Sequence, residues 1–200
     1  MAEEKVGTYR ITHVTPLYRG WRNLLLLTIR LPDGREMTRE VFENTEAAAV
    51  LPYDPVRRTA ILVRQFRAPV AHKGFEATVL EAVAGLLDGT DPETCVRREA
   101  MEEAGIRLSA LEPVGTSWSS PGATTERLHL FLAPYALADR VAEGGGLADE
   151  HEDIEVVEIG LDDLAGMVRD NAIEDLKTLS LAQALLIRHP ALFGSVGDHT

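Results

Sequence analysis

Cysteine is almost missing from this chain. Among 200 residues there is only Cys95, which excludes an intramolecular disulfide framework. Positive charge is also scarce: 20 Lys and Arg stand against 32 Asp and Glu, for a formal net charge of −12. That balance disfavours a nucleic-acid backbone as partner. It disfavours free nucleotides too, unless a metal ion and local arginines reverse the field at the site. Long hydrophobic runs are lacking: Leu24-Leu25-Leu26-Leu27 is only a strand's worth, far short of the roughly 20 residues that span a bilayer. The N-terminus has no basic-then-apolar layout of a signal peptide, and no internal repeat is evident. A soluble cytoplasmic protein without nucleic-acid or membrane partners is expected.

What remains is an ordinary globular composition, 45% hydrophobic and 26% charged. The length allows one ample core, or a core plus a small appendage. Residues 9–14, 23–31 and 36–43 read as strands, with Pro32-Asp33-Gly34 turning between the last two. They predict a small N-terminal sheet. Strands are further predicted at 47–53, 59–66, 79–84, 108–118, 128–135 and 154–159, and helices at 161–169 and 175–188. Residues 141–153 form a Gly- and acid-rich loop, and 194–200 a frayed tail. The mixed order fits a sheet between helices.

The most informative stretch is 84–106. Asp91 is a good N-cap, Pro92 suits the first helical position, Glu93 complements the positive helix end, and Gly105 is a natural left-handed stop. A helix from about Pro92 to Ala104 follows. Cys95, Val96 and Ala100, with Met101 and Ala104 beside them, supply its core-facing stripe. Glu99 lies three and four residues before Glu102 and Glu103, so the three carboxylates share a face. Like charges so placed destabilise a helix by about 0.2–0.5 kcal/mol per pair, and Glu103 sits near the negative helix end. Pairs of Glu93 with Arg97 and of Arg98 with Glu102 offset part of this. Position i+4 from Glu99 offers no cation. A bound divalent ion resolves the conflict, because Mg²⁺ is typically held by one or two carboxylates plus substrate phosphates. The bland alternative is a solvated charged face.

Arg98-Glu99-Ala100-Met101-Glu102-Glu103-Ala104-Gly105-Ile106 resembles the second half of the Nudix box, G-x₅-E-x₇-R-E-U-x-E-E-x-G-U, and Gly85 matches its opening glycine. There are two departures. The loop from Gly85 is one residue short, and Thr90 stands where the box's first Glu is expected. In the family that Glu ties the loop through the box arginine. Either Glu93 takes over the tie to Arg98, or the shorter loop needs none. The run Ala84-Gly85-Leu86-Leu87-Asp88, with Asp91-Pro92-Glu93 and Cys95, is similar to the GDP-mannose pyrophosphatase subgroup. So, in order, are Arg39-Glu40-Val41, Arg64-Gln65-Phe66-Arg67, Ser120-Pro121-Gly122, Thr125-Glu126, Gly144-Gly145-Gly146 and Glu152-Asp153-Ile154-Glu155. ADP-ribose pyrophosphatases share much of this layout.

The resemblance implies an α/β fold: the Nudix α/β/α sandwich with a mixed sheet, plus a small N-terminal antiparallel sheet. It divides the chain into an N-terminal β-sheet region at 1–45, a hydrolase domain at 46–193 and a tail at 194–200. The implied reaction is Mg²⁺-dependent attack of water on the pyrophosphate of a nucleoside diphosphate sugar, with Mn²⁺ as a substitute. Implied metal ligands are Glu99, Glu103, Glu152 and the Ala84 carbonyl, with Glu102 a ligand or a neighbour of one. Glu152 is the implied general base, with Glu150 and Asp153 as rivals; the structural alternative is a solubilising loop. Arg98, with Gly85 and Gly105, organises the box. Implied substrate contacts are Trp21 (rival Tyr18), Arg39, Glu40, Arg67, Gly85, Glu126 and Lys177. Arg64 lies on the opposite strand face from Arg67. His72, His129 and His151 show no ligand spacing. A homodimer through the N-terminal sheet is implied, with Trp21 and Arg39 serving the partner's site. Two other readings stay open: an ADP-ribose pyrophosphatase, and a catalytically silent domain that senses a nucleotide sugar.

Overall fold

The computed structural model describes residues 8–146 and 153–194. The chain forms two compact units. One comprises the residues through Glu46 together with Ser117–Arg127, and the other comprises Ala47–Thr116 and the residues from Leu128 onward.

The first unit is built on a three-stranded antiparallel meander of β1 (Arg10–Arg19), β2 (Asn23–Arg30) and β3 (Glu36–Glu43). β1 runs farther than the expected 9–14, because it pairs along its whole length with β2, through two register shifts. Gly34, at φ 87°, makes the turn between β2 and β3. Every residue of β1 is exposed, including Ile11, Val14, Leu17 and Tyr18.

The second unit carries a seven-stranded mixed sheet. Its main path is β10 (Glu155–Gly160), β5 (Thr59–Phe66), β4 (Ala47–Asp54), β9 (Arg127–Pro134) and β8 (Glu112–Trp118), with β4 and β9 parallel. β4 is buried along its full length, as its continuous apolar run requires when both faces are covered. Alternation then sorts its side chains. Ala48 and Val50 point to the same core as Ile61, Val63, Phe131 and Ala133, beneath Cys95, Val96, Ala100 and Ala104 of α2 (Pro92–Ala104). Ala49, Leu51 and Tyr53 join Leu62, Leu130 and Leu132 in the opposite core, covered by Leu161 and Leu164 of α3 (Leu161–Arg169) and Leu181 and Leu185 of α4 (Leu176–Arg188). The result is the expected sheet sandwiched between helices. Several ends shift by a residue, and three differences are larger or of kind. β8 starts at Glu112 rather than 108, Asp175 is the N-cap of α4 rather than part of it, and a short helix α1 (Ala68–His72) follows β5 where none was expected.

The larger departure is at 79–84. The expected single strand is two, β6 (Thr78–Glu81) and β7 (Val83–Leu86). β4 and β5 pair with each other only at Tyr53–Ala60 and Asp54–Thr59, then diverge. β6 pairs with β5 and β7 with β4, so the chain changes partner at Ala82. The Ala82 amide, in the gap between the two ladders, donates to the buried Thr178 hydroxyl at 2.6 Å. A buried amide needs such a partner.

α2 matches its expected bounds. Asp91 accepts from the Thr94 amide at 3.0 Å. Gly105 stops the helix at φ 67°, with its N–H on Met101 O at 3.1 Å and the Ile106 N–H on Ala100 O at 2.9 Å. A Cβ on Gly105 would lie 2.1 Å from the Ala142 carbonyl oxygen. Gly105→Ala therefore combines a left-handed penalty with a backbone clash. It is expected to cost about 3 kcal/mol of unfolding free energy, read as a lowered urea midpoint; an unchanged midpoint would contradict this account of the cap.

Candidate active site

The carboxylate face of α2 lies against the start of β7. Glu103 is only 2% exposed and Glu99 9%, while Glu102 is half-buried. The Ala84 amide donates to Glu103 Oε2 at 3.2 Å, which puts the Ala84 backbone beside the carboxylate expected to share a metal with it. Gly85 is needed for close approach, since a Cβ there would fall 1.9 Å from Glu99 Oε1. Arg98 binds Glu99 at 2.7 Å and Glu102 at 3.3 Å and donates to the Leu86 carbonyl at 3.3 Å. Burial alone would lower the Arg98 pKa; the charges of Glu99 and then Glu102 overcome it and hold the guanidinium above its ordinary value.

The two departures from the box resolve locally. Glu93 faces Arg97 at 3.8 Å and not Arg98. Thr90 closes the short loop on itself, its amide and hydroxyl both donating to the Leu87 carbonyl, at 2.8 and 2.5 Å. Cys95 packs beneath the loop, with Sγ 3.3 Å from the Leu86 carbonyl oxygen. Burial, and then the Glu99 charge, push its thiol up to about 11, so it stays protonated and inert at neutral pH.

Beyond Gly105 the chain returns to the same helix end. Gly144, Gly145 and Gly146 all have positive φ, at 78°, 109° and 79°. The Gly145 amide donates to Glu103 O at 2.9 Å and the Gly146 amide to Glu102 O at 3.1 Å. These donors offset the negative helix end that made Glu103's position unfavourable. Glu152, the expected base, and its rival Glu150 lie outside the described residues.

Arg67 and Lys177 are brought together by a residue that the sequence did not single out. Glu81, at the end of β6 and 3% exposed, receives Arg67 Nε at 2.5 Å and Nη2 at 2.9 Å on its two oxygens, and Lys177 binds it as well. Lys177 also reaches Asp175 at 3.1 Å. Burial alone would raise the Glu81 pKa; the Arg67 hydrogen bond and the Lys177 charge overcome it and hold the carboxyl below its usual range. Arg67 is raised chiefly by its hydrogen bond to Glu81, with Glu103 among the charges that add to this. The cationic cluster therefore feels the carboxylate face of α2. Arg64 instead pairs with Glu155 on β10, at 2.9 Å.

Four expected substrate contacts belong to the other unit. Trp21 is at the tip of the β1–β2 hairpin, 86% exposed, with the Arg22 guanidinium 4.2 Å from its ring centre. Arg39 and Glu40 are exposed on β3, opposite Leu27 and Leu26. Since Asn23 pairs with Glu43 at the tip end, Arg39 is about 13 Å along the strand from it. Glu126 is held by Asn44 Nδ2 at 2.7 Å.

The oxygen donors on α2 and β7 suit a hard divalent cation. Among the described residues no group of three or more His, Cys, Asp or Glu is gathered as a metal site; the oxygen donors that the structure does bring together are the buried carboxylates Glu99 and Glu103, beside the Ala84 and Gly85 backbone. Such a set fits a hard divalent cation that keeps places for water and phosphate oxygens. No helix among the described residues is long and apolar enough to cross a membrane.

Comparison with known proteins bears on the family and the fold. The NUDIX domain family model matches residues 43–182. The GDP-mannose pyrophosphatase of Cronobacter sakazakii is 44% identical over 151 residues, covering 75% of this chain and 78% of that protein. The one from Pectobacterium atrosepticum is 44% identical over 151 residues, covering 75% and 77%. A crystal structure of an ADP compounds hydrolase superposes with a TM-score of 0.76, covering 94% of this chain and 97% of the other at 19% identity, which is a likeness of fold.

Proposed function

The chain belongs to the Nudix family, and from that premise we propose that it hydrolyses the pyrophosphate bond of a GDP-mannose-like nucleoside diphosphate sugar. Water adds across the bond to yield a nucleoside monophosphate and a sugar phosphate. The observation that carries this reading is the pair of buried carboxylates, Glu99 and Glu103, packed on the Ala84-Gly85 backbone. They would hold Mg²⁺, or Mn²⁺ in its place, together with the Ala84 carbonyl. When bound, the ion polarises phosphoryl oxygens and lowers the pKa of the attacking water.

The chain's own groups divide the remaining work. Glu102 stays beside the ligand pair, held by Arg98. Arg67 grips a phosphate with the edge of its guanidinium that faces away from Glu81, and Lys177 adds positive charge behind it. Glu152 accepts the proton of the attacking water. Trp21, Arg39, Glu40 and Glu126 recognise the base and sugar, with Trp21 and Arg39 supplied across a homodimer. The support for a dimer is the wholly exposed β1, whose apolar side chains ask for a cover. The lone, buried cysteine accords with a reducing compartment, and we assign the protein to the cytoplasm.

Incubation with Mg²⁺ and GDP-mannose, ADP-ribose or other nucleotide sugars, followed by chromatography, tests the proposal. Release of GMP and mannose 1-phosphate, abolished by a chelator, is expected, with a higher kcat/KM for GDP-mannose than for ADP-ribose. No release from any of them with either metal would overturn it in favour of a nucleotide-sugar sensor.

A further inference from the structure

Glu81 has no part in the chemistry above, yet it is the most enclosed charge of the cationic cluster. It ends β6 just before the chain changes partner at Ala82. Its two oxygens take Nε and Nη2 of Arg67 in a side-on fork. A guanidinium held that way has its plane and direction fixed, and its Nη1 edge is turned away from the carboxylate. The Arg67 side chain is 41% exposed, whereas that of Lys177 is 12% exposed. Lys177 thus braces Glu81 from behind. Asp175 holds Lys177 and, as N-cap of α4, accepts from the Thr178 amide at 2.9 Å and the Thr178 hydroxyl at 2.6 Å. The same hydroxyl receives the Ala82 amide. The strand switch and the helix start therefore lock one another, and Glu81 stands between them.

We propose that Glu81 is a positioning residue that aims Arg67 at a substrate phosphate, braced by Lys177 and Asp175 at the start of α4. The inference rests on the nucleotide-sugar reading for the identity of the phosphate. Glu81 is not a base, because both of its oxygens are engaged by cations.

A double-mutant cycle on the full-length protein with Mg²⁺ and GDP-mannose tests it. Arg67→Ala is expected to lower kcat/KM by about a hundredfold and Glu81→Gln by about tenfold, mostly through KM. In the double variant the Glu81→Gln effect should vanish, since its route through Arg67 is gone. Effects that multiply would overturn the proposal. A second readout needs no turnover: the ¹⁵N Nε–H signal of Arg67, assigned by its loss in Arg67→Lys. It is expected to stand apart from those of free arginines in the wild type and to rejoin them in Glu81→Gln. An unmoved signal would overturn the proposal. A wild type that hydrolyses no nucleotide sugar refutes the functional reading, while the Arg67 signal still decides the role of Glu81. If Glu81→Gln does not fold, Glu81→Gln with Lys177→Gln removes one charge of each sign and is read by the same signal.

Discussion

Glu103→Gln is expected to reduce turnover about a thousandfold or more while the protein stays folded. The amide keeps the size of the carboxylate, and its oxygen still accepts from the Ala84 N–H. It removes a negative ligand from the proposed metal, whose stabilisation of developing phosphoryl charge is an effect of several kcal/mol, and each 1.36 kcal/mol is tenfold in rate. Stability should move the other way. Glu103 and Glu99 are both buried four residues apart on one helix face, so the metal-free variant should melt no lower than the metal-free wild type. Mg²⁺ should raise the melting temperature of the wild type and do so much less in the variant, because a ligand stabilises only in proportion to its binding. Near-normal turnover in Glu103→Gln would mean that the metal assignment is wrong.

The second large effect is expected from Gly85→Ala, a change of one methyl group. The added carbon would sit 1.9 Å from Glu99 Oε1, 2.2 Å from its Cδ and 2.6 Å from its Cγ. No rotation of the terminal carboxylate relieves contacts that reach the Cγ, so the whole side chain must shift, and with it the bond from Arg98. A displacement near 1 Å in a reacting constellation costs about a hundredfold in rate. The expected signature is a fall of that size in kcat and a higher Mg²⁺ concentration for half-maximal rate. Folding should weaken only by about 1–3 kcal/mol, the usual cost of overpacking. A variant with wild-type kcat at ordinary Mg²⁺ would show that Glu99 is free to move without consequence.

Local signals were read well from the sequence, and distant ones were not. α2 was legible to the residue, because its N-cap, its proline and its left-handed glycine are all written within fifteen positions. β4 was legible from its unbroken apolar run. The partner change at Ala82 was not, since both halves have strand composition and the deciding group, Thr178, is 96 residues away. Glu81 was missed for the same reason: a single acid in an apolar strand gives no hint of the Arg67 and Lys177 that enclose it. Helix α1 is too short for any periodicity to appear. The box arginine was readable as an organiser of its loop, but its direct bond to Glu99 depends on how tightly Gly85 lets the loop approach.

The division of one segment between two neighbours at Ala82 also bears on how such a protein can change over generations. A ladder admits only whole-residue steps, and one step turns every later side chain to the opposite face. An insertion or deletion between Glu81 and Ala84 would therefore part either the Glu81–Arg67 pair or the Ala84–Glu103 contact from its present place, with no intermediate setting. The spacing between those two contacts is quantised, so change in length is channelled into the surrounding loops, where it can drift by single residues at little cost.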